Sequence, residues 1–425
     1  MMKIMKLGAV SREEIFARPV PEVDVSAVVA EIIATVRARG DAALLEYDEK
    51  YEKAKLDALE VSPAEFDAAL KATDPAFLAI LERAAANIRA FHEKQLRTGF
   101  RLELDGRVLG QKILPIEKVG LCVPGGVTPL SSTVLMDAIP AKIAGCAELV
   151  MVTPPRADGT IDASILAAAK VAGVDRVFKL GGAQAVAALA YGTESVPKVD
   201  KIVGPGGAFV AEAKRQVFGV VSIDMIAGPS EVLVLADGKS DPACVAADLL
   251  SQAEHDRLAA AVLVTDSRAL AEAVQAEVEV QLRQLVREEI ARASIERNGK
   301  IIVTDDLDTA VDVANAIAPE HLELCVDEPF AYLDRIRNAG SVFLGRSCPE
   351  AMGDYYAGAN HTLPTSGTAR FSSPLSVDDF IKKTQYIYYS EEALLKAVDD
   401  VAAFARQEGL TGHARSVTIR KEKAK

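Results

Sequence analysis

The chain has 425 residues, 50% apolar and 26% charged, which is ordinary globular usage with length enough for more than one core. Its net charge of −13 argues against a partner built on a phosphate backbone, and no apolar run approaches a membrane span. The start, Met-Met-Lys-Ile-Met-Lys-Leu, has no long apolar core or cleavage-like site, so no signal peptide is read, and five cysteines (Cys122, Cys146, Cys244, Cys325, Cys348) without a CxxC spacing fit free thiols in a cytoplasmic protein.

Residues 1–20 read as an arm, followed by two helices up to about residue 60. Gly40 closes the first helix and Asp41 opens the second. Ser62-Pro63-Ala64-Glu65 is a capping box, and Asp74-Pro75 opens a longer helix to about Gln95 that carries His92, a packing or surface histidine. Asp105-Gly106 joins Arg101–Leu104 and Arg107–Leu114 as a hairpin. From Lys118 strand and helix signals alternate. The first set has strands at Val119–Val123, Leu149–Thr153, Arg176–Leu180 and Lys201–Val203, and the second at Val232–Leu235, Ala260–Thr265, Ile301–Val303, Leu322–Val326 and Val342–Leu344. Such alternation predicts an α/β fold of two doubly wound, Rossmann-like modules, with N-terminal helices in front. After Ser376 the chain reads as a helical tail, Glu391–Gln407 and Leu410–Arg420, with too little core of its own to stand unpacked.

Six sets of residues could carry chemistry. Ser251-Gln252-Ala253-Glu254-His255-Asp256 ends a helix opened by Asp241-Pro242. Gln252 and His255, three apart, leave one helix face and offer an oxygen and a nitrogen to a borderline metal such as zinc. The same spacing also makes an ordinary hydrogen-bonded helix end. Three glycine turns follow strands: Pro124-Gly125-Gly126, Gly181-Gly182-Ala183-Gln184 and Gly204-Pro205-Gly206-Gly207. They outline a ligand crevice or simply serve tight βα turns. The dinucleotide fingerprint GxGxxG is absent, because Phe209 stands at its last position. Ser230, in Gly228-Pro229-Ser230-Glu231, lacks a nucleophile elbow and is at most a hydrogen-bonding group. Glu320-His321 can reach one cleft from a connection and form an acid/base pair, or stay two exposed polar residues. A long polar loop carries Asp354 and His361, and Glu408-Gly409-Leu410-Thr411-Gly412-His413 joins the tail helices.

Taken together these stretches resemble the histidinol dehydrogenase family. The matching pieces are Val123-Pro124-Gly125-Gly126, Gly181-Gly182-Ala183-Gln184-Ala185, Ala227-Gly228-Pro229-Ser230-Glu231, Ser251–Asp256, Ala318-Pro319-Glu320-His321-Leu322-Glu323, Asn360-His361-Thr362-Leu363-Pro364-Thr365 and Leu410-Thr411-Gly412-His413, in the family's order across nearly the whole chain. The resemblance implies a zinc-dependent, NAD-linked, four-electron oxidation of L-histidinol to L-histidine through L-histidinal, the last step of histidine biosynthesis. It implies zinc on Gln252, His255, Asp354 and His413, with His321 as the base for the alcohol and Glu320 activating water on the aldehyde. Ser230, His361 and Glu408 would contact substrate along with the metal residues and His321, and Gln184 would contact NAD. It also implies a homodimer with shared sites. The organisation expected on this basis is an arm at 1–20, a first module at 21–117 plus 230–375 bearing the zinc and catalytic residues, an NAD-side module at 118–229, and a tail at 376–425 exchanged between subunits.

Two positions depart from the pattern. Cys122 stands where the family has Tyr, and Gly207 where it has Asn. Losing a stacking surface and a hydrogen bond would weaken NAD binding by about 1–3 kcal/mol together. Three other readings use the same residues. One is a paralogous zinc/NAD alcohol dehydrogenase acting on a small polyol such as a sulfopropanediol, which Ser230, His361 and Glu408, all of the histidinol type, argue against. Another is a metal-dependent hydrolase, which would need no dinucleotide. The last is a zinc-keeping binding protein that has lost NAD, which would have no use for Glu320 and His321.

Overall fold

The alternating signals from Lys118 onward resolve into two parallel sheets. The structure, a computed structural model, describes residues 1–18, 24–125 and 128–424. Gly126 of the first glycine turn and the expected boundary after residue 20 lie outside the described residues. One sheet has five strands in the order Arg176–Lys179, Glu148–Thr153, Lys118–Cys122, Lys201–Val203, Ser222–Ile223, every pair parallel. The chain enters in the middle, winds outward, then crosses back, so the winding reverses between Lys118–Cys122 and Lys201–Val203. The other sheet, of six parallel strands, repeats this order around Glu231–Ala236. There the reversal falls between Glu231–Ala236 and His321–Cys325. The inner strands Glu148–Thr153 and Glu231–Ala236 carry near-continuous apolar runs, as burial on both faces requires.

The expected fold class is found, with three additions. Lys3–Lys6, inside the expected arm, is a strand that extends the six-stranded sheet beside Lys300–Val303. Four residues are too few to show a period. The lead-in helices Ser26–Arg39 and Asp41–Tyr47 share a core with Val150, Phe178 and Val186, and Pro63–Ala72 and Pro75–His92 share one with Leu121, Leu149 and Val177. They therefore clothe the five-stranded sheet, whereas the sequence grouped them with the 230–375 module. Helix faces show that something is covered, not which sheet covers it. Third, Ile381–Tyr389 is a strand that the sequence reading of the tail left out, because most of its residues are exposed and no apolar alternation marks it.

That strand belongs to a second compact unit, residues 96–115 and 381–425. Ile381–Tyr389 pairs antiparallel with Arg107–Pro115, which pairs in turn with Phe100–Leu104 through the expected Asp105-Gly106 turn. The helices Glu391–Gln407 and Thr411–Lys423 pack on each other through Ala402, Ala405 and Ala414. No helix among the described residues is long and apolar enough to cross a membrane.

Gly204 sits where the winding of the five-stranded sheet reverses, at φ +107°. A Cβ there would lie 2.3 Å from the Cys122 carbonyl oxygen and 2.8 Å from an Asp137 carboxylate oxygen. Gly204→Ala is expected to destabilise the protein by about 2 kcal/mol or more, read by urea unfolding, since neither backbone nor carboxylate can yield cheaply.

Candidate active site

Four elements of the six-stranded sheet converge on one point. Helix Pro242–Ala253 starts as expected, with Asp241 accepting from Ala243 N at 2.8 Å and Pro242 in the first turn. Its last turn carries Gln252, fully buried, and His255 follows just past the helix end. Helix Leu307–Ile317 is closed by Ala318, held at φ +52°. Pro319 and Glu320 then lead into strand His321–Cys325. Asp354, expected in a loop, lies instead on the short helix Glu350–Tyr355. Its carbonyl accepts from His361 Nδ1 at 3.0 Å, while Thr133 Oγ1 lies 3.2 Å from His361 Nε2. Ser230 precedes strand Glu231–Ala236, half-buried.

The adjacent pair is not exposed. Glu320 and His321 are 6% and 4% accessible. Glu320 Oε2 accepts from the backbone N–H of Glu231 at 2.8 Å. His321 Nδ1 lies 3.1 Å from the Glu231 carbonyl and 2.9 Å from Gln252 Nε2, and its Nε2 lies 3.5 Å from Asp354 Oδ1. One residue given no role in the sequence reading, Glu231, thus offers its N–H to one member of the pair and its C=O to the other.

Burial dominates the electrostatics. It pushes the Glu320 carboxyl up to about 7, with the charge of His321 opposing the rise. Burial alone would lower His321, but the carboxylates of Glu350, Glu320 and Asp354 outweigh it and raise the imidazole well above its usual range. Asp354 is the reverse case: burial raises it, and the hydrogen bond and charge of His321 bring it below the usual carboxylate range. His361 is lowered by burial, in keeping with a neutral ring that donates from Nδ1. His255 keeps part of its surface in solvent, yet the atoms packed around the rest lower its pKa, with Asp354 opposing.

A second layer of carboxyls lies behind the first. Glu350 is one helical turn before Asp354, Asp248 one turn before Gln252, and Glu323 two strand residues after His321. Single ligand atoms of His321, Glu350 and Asp354 lie within 4.8 Å of one another, as do those of Asp248, Glu323 and Cys325. Glu323 Oε1 accepts from Glu350 N at 2.7 Å. Burial pushes Glu323 up to about 9 and Glu350 up to about 8, and raises Asp248. The spacings i−4 on two helices and i+2 on a strand were available in the sequence as a signal that these acids share a face with the site residues.

Gln252 Oε1 is buried without a hydrogen-bond partner. An orphaned acceptor beside a carboxylate is what a bound cation satisfies, so this donor set fits the expected metal. Gln252, His255, Glu320, His321, Asp354, His361 and Ser230 all belong to this neighbourhood. Glu408 and His413 belong to the second unit, where both are exposed at the junction of its two helices. His92 proves to be a fully buried packing residue, its Nδ1 2.7 Å from Gln95 Oε1.

The other predicted residues lie on the five-stranded sheet. Cys122, Gly125, Gly181 and Gly207 line a cavity of about 200 Å³ at the C-terminal ends of its strands, where the winding reverses. Gly207 starts helix Ala208–Val217, and a Cβ there would meet nothing within 4 Å, so the side chain missing at this position leaves open space. Cys122 is buried, which pushes its thiol up to about 12. Gln184, 2% accessible, sits behind the second turn, with its amide oxygen 2.8 Å from where a Cβ of Gly182 would be.

Residues 18–421 match the family model described as histidinol dehydrogenase. The chain is 55% identical over 396 residues to the histidinol dehydrogenase of Geobacillus kaustophilus, covering 93% of each chain. It is 52% identical over 401 residues to that of Streptococcus mutans, covering 94% of this chain and 93% of the relative. The crystal structure of histidinol dehydrogenase from Elizabethkingia anophelis superposes with a TM-score of 0.94 at 38% identity, covering 100% of this chain and 98% of that one.

The buried acids predict the pH dependence of stability. Glu323, Glu350 and Asp137 have folded pKa values raised to about 9, 8 and 8, so between pH 4 and 8 the folded chain holds protons that the unfolded chain has lost. Stability therefore falls as pH rises through that window. In metal-free protein, Glu323→Gln is expected to stabilise at pH 8 by on the order of 2 kcal/mol and to do little at pH 4, measured by denaturant unfolding at both values.

Proposed function

The chain belongs to the histidinol dehydrogenase family and oxidises histidinol in histidine biosynthesis; we propose that it does so at the Glu320–His321 pair, in two successive NAD-linked steps with L-histidinal between them. The observation that carries this reading is the shared anchor of the pair. Both side chains are fixed by the backbone of one residue, Glu231, through its N–H and its C=O, beside the orphaned oxygen of Gln252. A base must hold its geometry before it can move a proton, and two side chains pinned to one strand start cannot drift apart.

In this reading His321 takes the hydroxyl proton of L-histidinol, and Asp354 and Gln252 hold the imidazole in orientation. Glu320 then works on the aldehyde, drawing a proton from the water that adds to it. A carboxyl brought by burial to about 7 is matched to that task near neutral pH. Gln252, His255 and Asp354 would hold zinc, with His413 as the fourth ligand, and the metal would fix the substrate's amine and imidazole by coordination. NAD would accept a hydride in each step. Its place in this reading is the crevice of the five-stranded sheet, where the glycine turns let a dinucleotide approach the backbone. Gln184 would then act from behind its turn. Ser230, His361 and Glu408 would contact the substrate.

We also propose a homodimer whose tail, residues 376–425, completes the partner's site with Glu408 and His413. Supporting it, the second unit leaves the large side chains of Phe404, Ile387 and Tyr388 exposed at 70%, 72% and 59%, apolar surface that a partner subunit would cover. The division into a dinucleotide-binding module at 118–229 and a catalytic module around 230–375 belongs to the same reading, as does a cytoplasmic setting with its supply of NAD.

The test is NADH released by zinc-loaded protein on L-histidinol, with two NADH expected per substrate consumed. His321→Ala is expected to slow turnover of histidinol at least 100-fold, and Glu320→Gln to slow turnover of supplied histidinal more than that of histidinol. Equal losses in both steps for both variants would contradict the division of roles. For the shared site, Gln252→Ala and His413→Ala subunits, each inactive alone, should regain about a quarter of wild-type activity when mixed and re-associated; verified mixed dimers without activity would exclude exchange.

A further inference from the structure

We propose that Arg18 is a positioning residue for the Glu320–His321 pair. The proposal rests on the reading of that pair as the reacting one. Its basis is that one guanidinium bridges the side chain of Glu231, whose backbone anchors the pair, and the turn from which the pair leaves. One arm, Nη1, pairs with Glu231 Oε1. The other, Nη2, donates to the Ile317 carbonyl and lies 3.5 Å from that of Ala318. Glu231 supplies the peptide groups that bind Glu320 and His321. Ile317 and Ala318 form the turn, with Ala318 at φ +52°, from which Pro319 and Glu320 leave. Without a cation here, the buried Glu231 carboxylate and the last carbonyls of a helix would face each other unpaired, and the turn could slide against the strand.

The sequence builds a support that brings Arg18 to this place. Strand Lys3–Lys6 fixes the arm to the sheet beside Lys300–Val303. Ser11 then caps a single helical turn, Arg12–Phe16, accepting from Glu14 N at 3.1 Å. Lys300 closes that turn from below, its Nζ donating to the carbonyls of Ile15 at 3.2 Å and Ala17 at 2.6 Å. Arg18 is the next residue. Gly367 approaches its guanidinium so closely that a Cβ would come within 3.1 Å of Nη2. Arg18 and Glu231 also line a cavity of about 350 Å³, so the guanidinium can be reached by small solutes. A planar fork is required, because two anchors on different segments must be held at once, and a lysine ammonium reaches as a single point.

Four variants test this in the zinc-loaded enzyme: Arg18→Ala, Arg18→Lys and, as controls, His321→Ala and Glu320→Gln. Arg18→Ala is expected to lower kcat on both histidinol and histidinal at least 30-fold. KM for histidinol and NAD should stay within threefold of wild type and zinc content unchanged. Added guanidinium at millimolar levels, entering the vacated cavity, should restore at least a tenth of the loss. Arg18→Lys should keep the fold and lose at least fivefold in kcat. A folded Arg18→Ala with kcat within twofold of wild type overturns the proposal, as does a loss that appears in KM and zinc content and ignores guanidinium. Should Arg18→Ala not fold, Arg18→Lys decides alone, and kcat within twofold of wild type overturns the proposal. If the two control variants keep full activity, the reading of the pair fails. If they lose it while both Arg18 variants do not, only the role of Arg18 fails.

Discussion

Two neighbouring strands begin one residue out of step, and the candidate site depends on that offset. In the parallel register His321 stands opposite Val232, so the N–H of Glu231 points toward this neighbour ahead of its first paired residue. A backbone N–H left at a buried strand start must find a partner elsewhere. Glu320 supplies it with a carboxylate oxygen at 2.8 Å, and the carbonyl of the same residue lies 3.1 Å from the His321 ring. The contacts at the strand start are therefore the ones that orient the pair. Moving the register by one residue would turn these side chains to the other face and leave the pair without this anchor.

The two modules share a winding and use opposite ends of it. In the five-stranded sheet the crevice opens at the C-terminal ends of the strands, where the order reverses, as open α/β sheets favour. In the six-stranded sheet that position is filled. Arg346 donates to both carboxylate oxygens of Asp237, at 2.5 and 2.6 Å, and to Asp327 at 2.9 Å, while Ser240 donates to the Cys325 carbonyl. The site of this sheet lies at the other end, at the strand starts, where helix Pro242–Ala253 comes back with Gln252. Thr362 Oγ1 donates to Asp137 and Asn360 Nδ2 to the Met136 carbonyl. These bonds tie the segment around His361 to helix Ser131–Ala144, which follows the first glycine turn of that crevice. The segment is thereby joined to the crevice side, as the proposed hydride transfer needs.

Local signals in the sequence were strong wherever a partner sat within four residues. Asp241-Pro242, Ser62–Glu65 and Asp105-Gly106 each gave the expected cap or turn, because their bonds close within a few residues. Helical spacing placed Gln252, whereas His255, expected on the same helix face, lies just past the helix end. Long-range partners left no such mark. Arg18 meets Glu231 across 213 positions and Gln252 meets His321 across 69, so neither pairing shows in any window of the chain. Glu231 was missed for a further reason. It serves the site through its peptide groups, which every residue has, so its side-chain identity carries no signal for them. The strand Ile381–Tyr389 escaped because its partners are a distant hairpin and its own faces are wet.

Charge balance connects the buried acids to the proposed metal. Three carboxylates, Glu350, Glu320 and Asp354, act on one imidazole and together overcome the burial that would otherwise empty it of its proton. A ring held that firmly in its charged form is a poor base. A divalent cation held by Gln252, His255 and Asp354, as proposed, would offset the same carboxylates and lower the proton affinity of His321 toward the range in which it can accept a hydroxyl proton. The acids behind the site answer differently. Glu323, raised by burial to about 9, stays neutral at working pH and bridges strand and helix by accepting from Glu350 N. The layer facing the pair therefore carries charge that a metal can balance, and the layer behind it carries protons, which lets so many carboxyls pack at one sheet end without mutual repulsion.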